Sequence, residues 1–278
     1  MTDRLAALFG HFAVRAHAFQ AGPLCGINQI EANEPFGQLH LIRAGEVEVR
    51  HRHHKALRIK EPSLLLYPRP LGHRFVTDTQ CGAEFVCANV AFEGGSDHPI
   101  AAALPPVVCL PLAKVPSCGP VLSSLFAEAA ASHCGRQAML DRLFEVLLIQ
   151  VLRELMAQGE LESGMLAGLA HPRLRQALVA LHEAPQRDWS LQSLAGQAGM
   201  SRTVFANHFR DVVGCTPGAY LLRWRMGLAQ KRLRQGHTLK QIGGDIGYGS
   251  EAALSRAFRA QTGLSPREWL KADAAARP

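Results

Sequence analysis

One short pattern is written twice near the C-terminus, at an almost constant offset. Ser201, Phe209, Arg210, Gly214, Pro217 and the pair Tyr220-Leu221 return 49 residues later as Ser250, Phe258, Arg259, Gly263, Pro266 and Trp269-Leu270. Upstream the offset is 48, matching Ser190, Leu191, Leu194, Ala198 and Gly199 to Thr238, Leu239, Ile242, Ile246 and Gly247. A repeat of this length confines that part of the chain to two versions of one supersecondary unit. In the first copy Ser190 is a plausible N-cap, Leu191, Leu194, Ala195 and Ala198 recur at helical spacing, and Gly199 stands where a helix wants a left-handed residue. Ser201 then opens a second helix, expected to turn Val204, Phe205, His208 or Phe209, and Val212 inward and to end at Gly214.

Two short helices joined by a tight Gly-containing turn make a helix-turn-helix, whose second helix offers its N-terminal residues to base edges in a major groove. Between the copies, Pro217 to Gln235 reads as one long helix with Tyr220, Leu221, Trp224, Leu228 and Leu233 as its apolar residues. At about 1.5 Å per residue it spans on the order of 28 Å, close to the roughly 34 Å between successive major grooves on one side of B-DNA. Charge agrees: residues 171–278 hold 16 Lys or Arg against 7 Asp or Glu, whereas residues 1–170 hold 14 against 16. A positive excess confined to the repeat-bearing half is the footprint of phosphate binding. The outward positions of the first recognition helix are Arg202, Thr203, Ala206, Asn207 and Arg210; those of the second are Glu251, Ala252, Ser255, Arg256 and Arg259. Asn suits adenine, Arg suits guanine, and Ala or a Thr methyl suits the thymine methyl. Arg210 and Arg259, further along, are expected on phosphate.

The run from about His171 to Lys271 resembles the DNA-binding domain of the AraC/XylS family of bacterial transcription regulators. The resemblance rests on Leu191-Gln-Ser-Leu-Ala195, Gly199-Met-Ser201, Phe209-Arg210, Gly214-Cys-Thr-Pro217, Ile242, Gly247-Tyr248, Ser250 and Phe258-Arg-Ala-Gln-Thr-Gly-Leu-Ser-Pro266. It implies base contacts at Thr203, Ala206, Asn207, Glu251, Ala252, Ser255 and Arg256, double-stranded operator DNA and RNA polymerase as partners, and activation as the output. Gly243-Gly244 departs from the usual Ala-rich run, each Gly weakening a helix by about 1 kcal/mol relative to Ala.

The first half has a different grammar. Leu39–Val49, Ala56–Ile59, Ser63–Tyr67, Phe75-Val76 and Phe85–Phe92 are short alternating or buried runs bounded by Gly and Pro, which suggests a small barrel or sandwich. Leu122, Leu125, Phe126 and Ala129, then Leu140, Leu143, Phe144, Leu147, Leu148, Val151 and Leu155, mark two amphipathic helices that could form a homodimer surface. The expected class is α+β, with residues 1–165 as a sensor and dimerisation domain and 170–278 as the DNA-binding domain; Ser163-Gly164 starts the linker. No run of about 18 apolar residues appears, so no membrane contact and a cytoplasmic location are expected. Seven cysteines without a pairing framework fit a reducing compartment.

Residues 1–165 are similar to the cupin sensor domain of one branch of the same family. Pro62-x5-Pro68-x-Pro70-x2-His73 follows the second cupin motif with Pro for Gly at its first and third marked positions. The resemblance puts His73 where metal-binding cupins have a ligand. The first motif, around Glu31 to Gly45, lacks its His-x-His pair, has Glu31 and Asn33 or Glu34 nearby, and has Gln38 in place of Glu. One ligand does not make a metal site, so no metal, no cofactor and no enzyme activity are expected; the alternative is a dioxygenase-like cupin metalloenzyme with an attached DNA-binding domain. His51-Arg-His-His54 reads as a solvated hairpin turn, where His51 and His53 could share a face with His54 pointing elsewhere. Cys81 and Cys87 could face one way along an unbroken strand. The resemblance also implies a small-molecule or oxidant signal, with Cys25 and Cys87 where redox-responsive thiols would be placed, beside the plainer reading of buried, inert thiols.

Overall fold

The computed structural model describes residues 3–31, 35–52, 54–95, 98–159 and 161–275. It divides into a sheet unit, Ala13–Ser96 with Ile100–Glu160, and a helical unit, Met1–Phe12 with Asp97–Pro99 and Leu161–Pro278.

The sheet unit is wholly antiparallel. Its larger sheet combines β1 (Val14–Leu24), β3 (Gly37–Ala44), β6 (Ser63–Tyr67), β8 (Ala83–Phe92) and β9 (Val108–Pro111) in the order β1-β8-β3-β6-β9. The smaller has β2 (Ile27–Ile30), β4 (Val47–His51), β5 (Leu57–Ile59) and β7 (His73–Val76) in the order β2-β7-β4-β5. Between them Ile42, Val49, Leu65, Tyr67, Phe75, Phe85 and Cys87 pack into one core, so apolar side chains fill this interior. α3 (Gly119–Ala130) and α4 (Arg136–Gln158) confirm the helical period of the sequence. α4 also covers the free edge of β1: Asp141 accepts the Ala18 N–H at 2.8 Å, Glu145 accepts that of Ala16 at 3.3 Å, and Gln137 donates to the Ala18 carbonyl at 2.8 Å. An edge strand whose backbone groups are answered by side chains is closed to further strand pairing.

The short α2 (Pro99–Ala103) precedes β9; in the helical unit α5 (Met165–Ala170) and α6 (Leu174–Glu183) come before the repeat, α7 (Leu191–Gln197) and α8 (Arg202–Val213) form the first copy, and α10 (Leu239–Ile246) and α11 (Glu251–Thr262) the second. Ser190 and Thr238 each make a reciprocal capping box with the residue three positions on, and Gly214 and Gly263 end the recognition helices at φ +80° and +78°. The aromatic pair that closes each core repeats in geometry as well as in sequence. Phe209 meets Tyr220 edge-on at 5.7 Å and 77°, and Phe258 meets Trp269 at 5.7 Å and 78°. Phe205, Phe209 and Val213 are the buried face of α8. The expected inward Val204 and His208 point out instead, Val204 being 43% exposed, because spacing of four rather than mixed three and four keeps both phenylalanines on one stripe.

Between the copies runs α9 (Pro217–Arg234), 18 residues long and capped by Thr216. Arg225 of α9 donates to the carbonyls of Pro185 and Arg187 at 2.7 and 2.9 Å, and Arg232 and Arg234 pair with Asp245 and Asp273 at 2.9 and 2.6 Å. These contacts fasten the loop before α7, helix α10 and α12 (Pro266–Ala275) to one connector. From the start of the chain, α1 (Ala6–His11) joins this unit: Leu8 is buried and Phe12 meets Trp224 edge-on at 5.2 Å.

The two turn glycines differ in a testable way. Gly199 has φ +59° and open space where a Cβ would stand, whereas at Gly247, φ +83°, a Cβ would lie 2.4 Å from the Gln186 carbonyl oxygen. Gly199→Ala is expected to lose about 1–2 kcal/mol for the left-handed backbone alone. Gly247→Ala is expected to lose roughly 1–3 kcal/mol more, since the added methyl displaces main chain. Urea unfolding of the two variants measures the difference; equal losses would contradict it.

Candidate nucleic-acid interface

α8 and α11 hold out the residues that their helical phase selects. Arg202, Thr203, Asn207 and Arg210 are exposed on α8 with Ala206 half-buried, and Glu251, Ala252, Arg256 and Arg259 are exposed on α11 with Ser255 half-buried. Phe205 and Phe209 anchor the first helix from behind, Leu254 and Phe258 the second. The outward rows therefore sit on helices, α11 capped by Ser250 and α8 without a side-chain bond from its N-cap Ser201, which hold a reading surface more accurately than a loop would.

The cations of this unit fall into two sets. Arg173 donates to the carbonyls of Ala198 and Gly199, closing the first turn, while Arg225, Arg232 and Arg234 of the connector are committed to carbonyls before α7 and to carboxylates of α10 and α12. By contrast, Arg202, Arg210 and Arg256 make no side-chain hydrogen bond or ion pair among the described residues. A surface with such cations on two outward helix faces suits a polyanion that also presents hydrogen-bonding edges.

In the sheet unit, His73 lies against His40, a residue that did not stand out in the sequence. The Nε2 atoms are 3.2 Å apart, and His73 Nδ1 donates to the Leu71 carbonyl at 2.8 Å. That bond fixes the tautomer: neutral His73 accepts at Nε2, His40 donates, and His40 Nδ1 is left buried without a partner among the described residues. Burial pushes His73 down to about 4 and holds His40 well below the ordinary imidazole range. Alternation Leu39-His40-Leu41 would have put His40 on a wet face; β3 is a central strand covered on both sides, so its polar-looking side is interior. Tyr67 stacks on His73 at 4.1 Å and hydrogen-bonds His51 at 3.0 Å. His51 is therefore part of the strand rather than a solvated turn residue, and His54 lies 5.9 Å from it, ring to ring, instead of pointing elsewhere. His53, Asn33 and Glu34 lie outside the described residues. Among the described residues no three His, Cys, Asp or Glu side chains are placed to hold a metal ion. Two imidazoles converge here, and among the described residues no third donor joins them, fewer than the three or four protein ligands of a metal-binding cupin centre.

Cys25 is exposed and Cys87 buried, with the Cys87 thiol pushed far up by burial. In the β1–β8 register Leu24 lies opposite Ala83 and Gln20 opposite Cys87. Cys25 and Cys87 are thus separated by about five residues along the ladder, roughly 16 Å at 3.3 Å per residue, too far for a disulfide without backbone movement. Cys81 does not share a strand with Cys87, since β8 begins at Ala83.

Comparison with known proteins agrees with this architecture. A family profile described as Cupin matches residues 3–157, more than half of the chain, and one described as a helix-turn-helix domain matches residues 194–272. A putative AraC-like transcription regulator of Streptomyces lividans is 39% identical over 60% of this chain and 57% of its own length. The HTH-type transcriptional regulator AlkR of Acinetobacter baylyi is 39% identical over 49% of this chain and 44% of its own. The chain thus spans about half the length of these curated relatives. Among solved structures, the DNA-binding domain of AdpA in complex with a target DNA is 30% identical and covers 39% of this chain and 98% of that one, with a TM-score of 0.35. Among the described residues no helix is long and apolar enough to cross a membrane.

Proposed function

For a chain that belongs to the cupin family through its first half and follows the AraC/XylS plan in its second, we propose the function of a sequence-specific DNA-binding transcription regulator. The observation that carries this reading is the duplicated unit, with matched Phe209–Tyr220 and Phe258–Trp269 closures behind two outward rows of exposed and half-buried side chains that include Arg202, Asn207, Arg210, Arg256 and Arg259. α9, about 27 Å long at 1.5 Å per residue, spaces the two recognition helices for neighbouring major grooves. Thr203, Ala206, Asn207, Glu251, Ala252, Ser255 and Arg256 read bases in this proposal, while Arg202, Arg210 and Arg259 hold phosphate. The sheet unit takes the role of sensor for a small-molecule or oxidant signal, which shifts the population of DNA-competent arrangements. The output is activation alongside RNA polymerase. Met139 and Val146, exposed one heptad apart on α4, are the face we assign to a second copy.

The test starts from a duplex selected out of a random pool by the purified protein. Asn207→Ala and Arg256→Ala are each expected to weaken binding to that duplex by about 1–3 kcal/mol and to leave scrambled DNA unaffected at matched salt. If the parent shows no preference between selected and scrambled duplexes, the regulator reading fails. If only the two variants behave like the parent, the placement of the bases is wrong.

A further inference from the structure

The internal repeat acts as its own control, and it exposes one place where the copies differ in chemistry. In the second copy, Ser265 and Glu268 make a reciprocal cap: the Ser265 N–H and hydroxyl donate to Glu268 Oε2 at 2.9 and 2.6 Å, and the Glu268 N–H donates back at 3.3 Å. Those bonds, and behind them the charge of nearby Arg259, hold the Glu268 carboxyl below its usual range. An offset of 49 carries Arg259, Arg267 and Glu268 onto Arg210, Gly218 and Ala219. The arginine is retained, while Gly218 and Ala219 replace the long side chains Arg267 and Glu268.

What is left there is a cavity of about 320 Å³, lined by Trp189, Leu191, Leu194 and Leu221 with Arg210 at its rim. Leu194 and Leu221 are buried and the Trp189 indole is held in place by its N–H bond to the Ala184 carbonyl at 2.9 Å. Arg210 makes no ion pair or side-chain hydrogen bond among the described residues. Volume, apolar walls and one convergent polar group are the attributes of a small-molecule site.

We propose that this cavity binds a small amphipathic monocarboxylate, its carboxylate on Arg210 and its apolar body against Trp189, Leu194 and Leu221. An arginine fork accepts such a group in bidentate fashion. The lining commits the occupant: a neutral apolar ligand leaves the Arg210 guanidinium without a counter-charge, whereas a carboxylate supplies one. On the regulator reading above, and resting on it, a filled site withdraws Arg210 from phosphate and opposes DNA binding by the first unit.

The probe is 3-phenylpropionate, titrated into the full chain without DNA and followed by tryptophan fluorescence and calorimetry, with 3-phenylpropan-1-ol as the uncharged analogue. The acid is expected to bind saturably with one site per chain, the alcohol at least tenfold more weakly, and Trp189→Phe is expected to remove most of the fluorescence change. Arg210→Gln should weaken the acid at least tenfold. Ala219→Glu is the stricter variant: it restores the carboxylate of the second copy, completes a capping box with Thr216, and should abolish binding while its melting temperature stays at or above that of the parent. Equal affinity for acid and alcohol, no saturation by 10 mM, or unchanged affinity in Ala219→Glu would each overturn the site. Because no DNA is present, failure of the regulator reading leaves these titrations untouched. With the selected duplex added, saturating probe should lower the affinity of the parent two- to tenfold; an unchanged affinity would overturn the regulatory consequence.

Discussion

Phe209→Ala is expected to destabilise the helical unit by about 3–5 kcal/mol, the range for truncating a fully buried phenylalanine. Phe209 is completely buried, lies 5.5 Å from Phe205 ring to ring, and closes edge-on against Tyr220, whose hydroxyl is hydrogen-bonded to His182 at 2.6 Å. The cavity left behind would be bounded by α8 and α9 and could not collapse without moving both. Since a domain as a whole is stable by only about 5–15 kcal/mol, the loss should separate the first helix-turn-helix from the rest as an early transition in urea. Phe258→Ala should do the same to the second copy through its contact with Trp269. Val204→Ala, on the exposed side of the same helix, should change stability by less than about 0.5 kcal/mol. A loss below 1 kcal/mol for Phe209→Ala, or a large one for Val204→Ala, would mean that α8 presents a different face to the core.

Acid should be the second large perturbation. Burial drives His182 down to about 3, with the charge of His11 a smaller cause, and drives His73 down to about 4. Both are neutral in the folded protein and would titrate near 6.5 once unfolded. The unfolded chain therefore takes up protons first as pH falls, so stability is complete above about pH 7 and declines below 6.5, until each folded-state value is reached. Each histidine contributes a slope of about 1.4 kcal/mol per pH unit in its window. Over the whole window that is of order 3 kcal/mol for His73 in the sheet unit and 5 kcal/mol for His182 in the helical one. Denaturant unfolding at stepped pH from 7.5 to 4 measures the slope. His182→Gln, which keeps a hydrogen-bonding group for the Tyr220 hydroxyl, should flatten the dependence of the helical unit by one proton. Stability that stays level across this range would show that these imidazoles are hydrated.

How much of this was legible beforehand follows from which forces are local. Five strand runs and both amphipathic helices of the first half were readable because alternation and helical period are written within ten or so residues, but the run Leu39–Val49 is two strands, β3 and β4, in different sheets. β1, β2 and β9 were not; β1 sets Arg15 and His17 on its outer positions beside small Ala16 and Ala18, and β2 has two amides between its isoleucines. Gly243-Gly244 looked like a weakness in α10; Gly243 is in fact buried, and a Cβ there would lie 3.3 Å from the Tyr248 carbonyl oxygen. The base-reading rows were accessible from phase alone, whereas the cavity beside Arg210 was invisible until Gly218 and Ala219 could be set against Arg267 and Glu268 in three dimensions.

Caps, turn glycines, the aromatic closures and the segregation of charge were determined by sequence, because each depends on residues a few positions apart or on composition counted along the chain. The partnering of His40 with His73, the separation of Cys25 from Cys87, and the division of the arginines into committed and free were decided only by tertiary structure. Strand register and helix packing bring together groups 20 to 80 residues distant, and no local periodicity records which side chain will meet which.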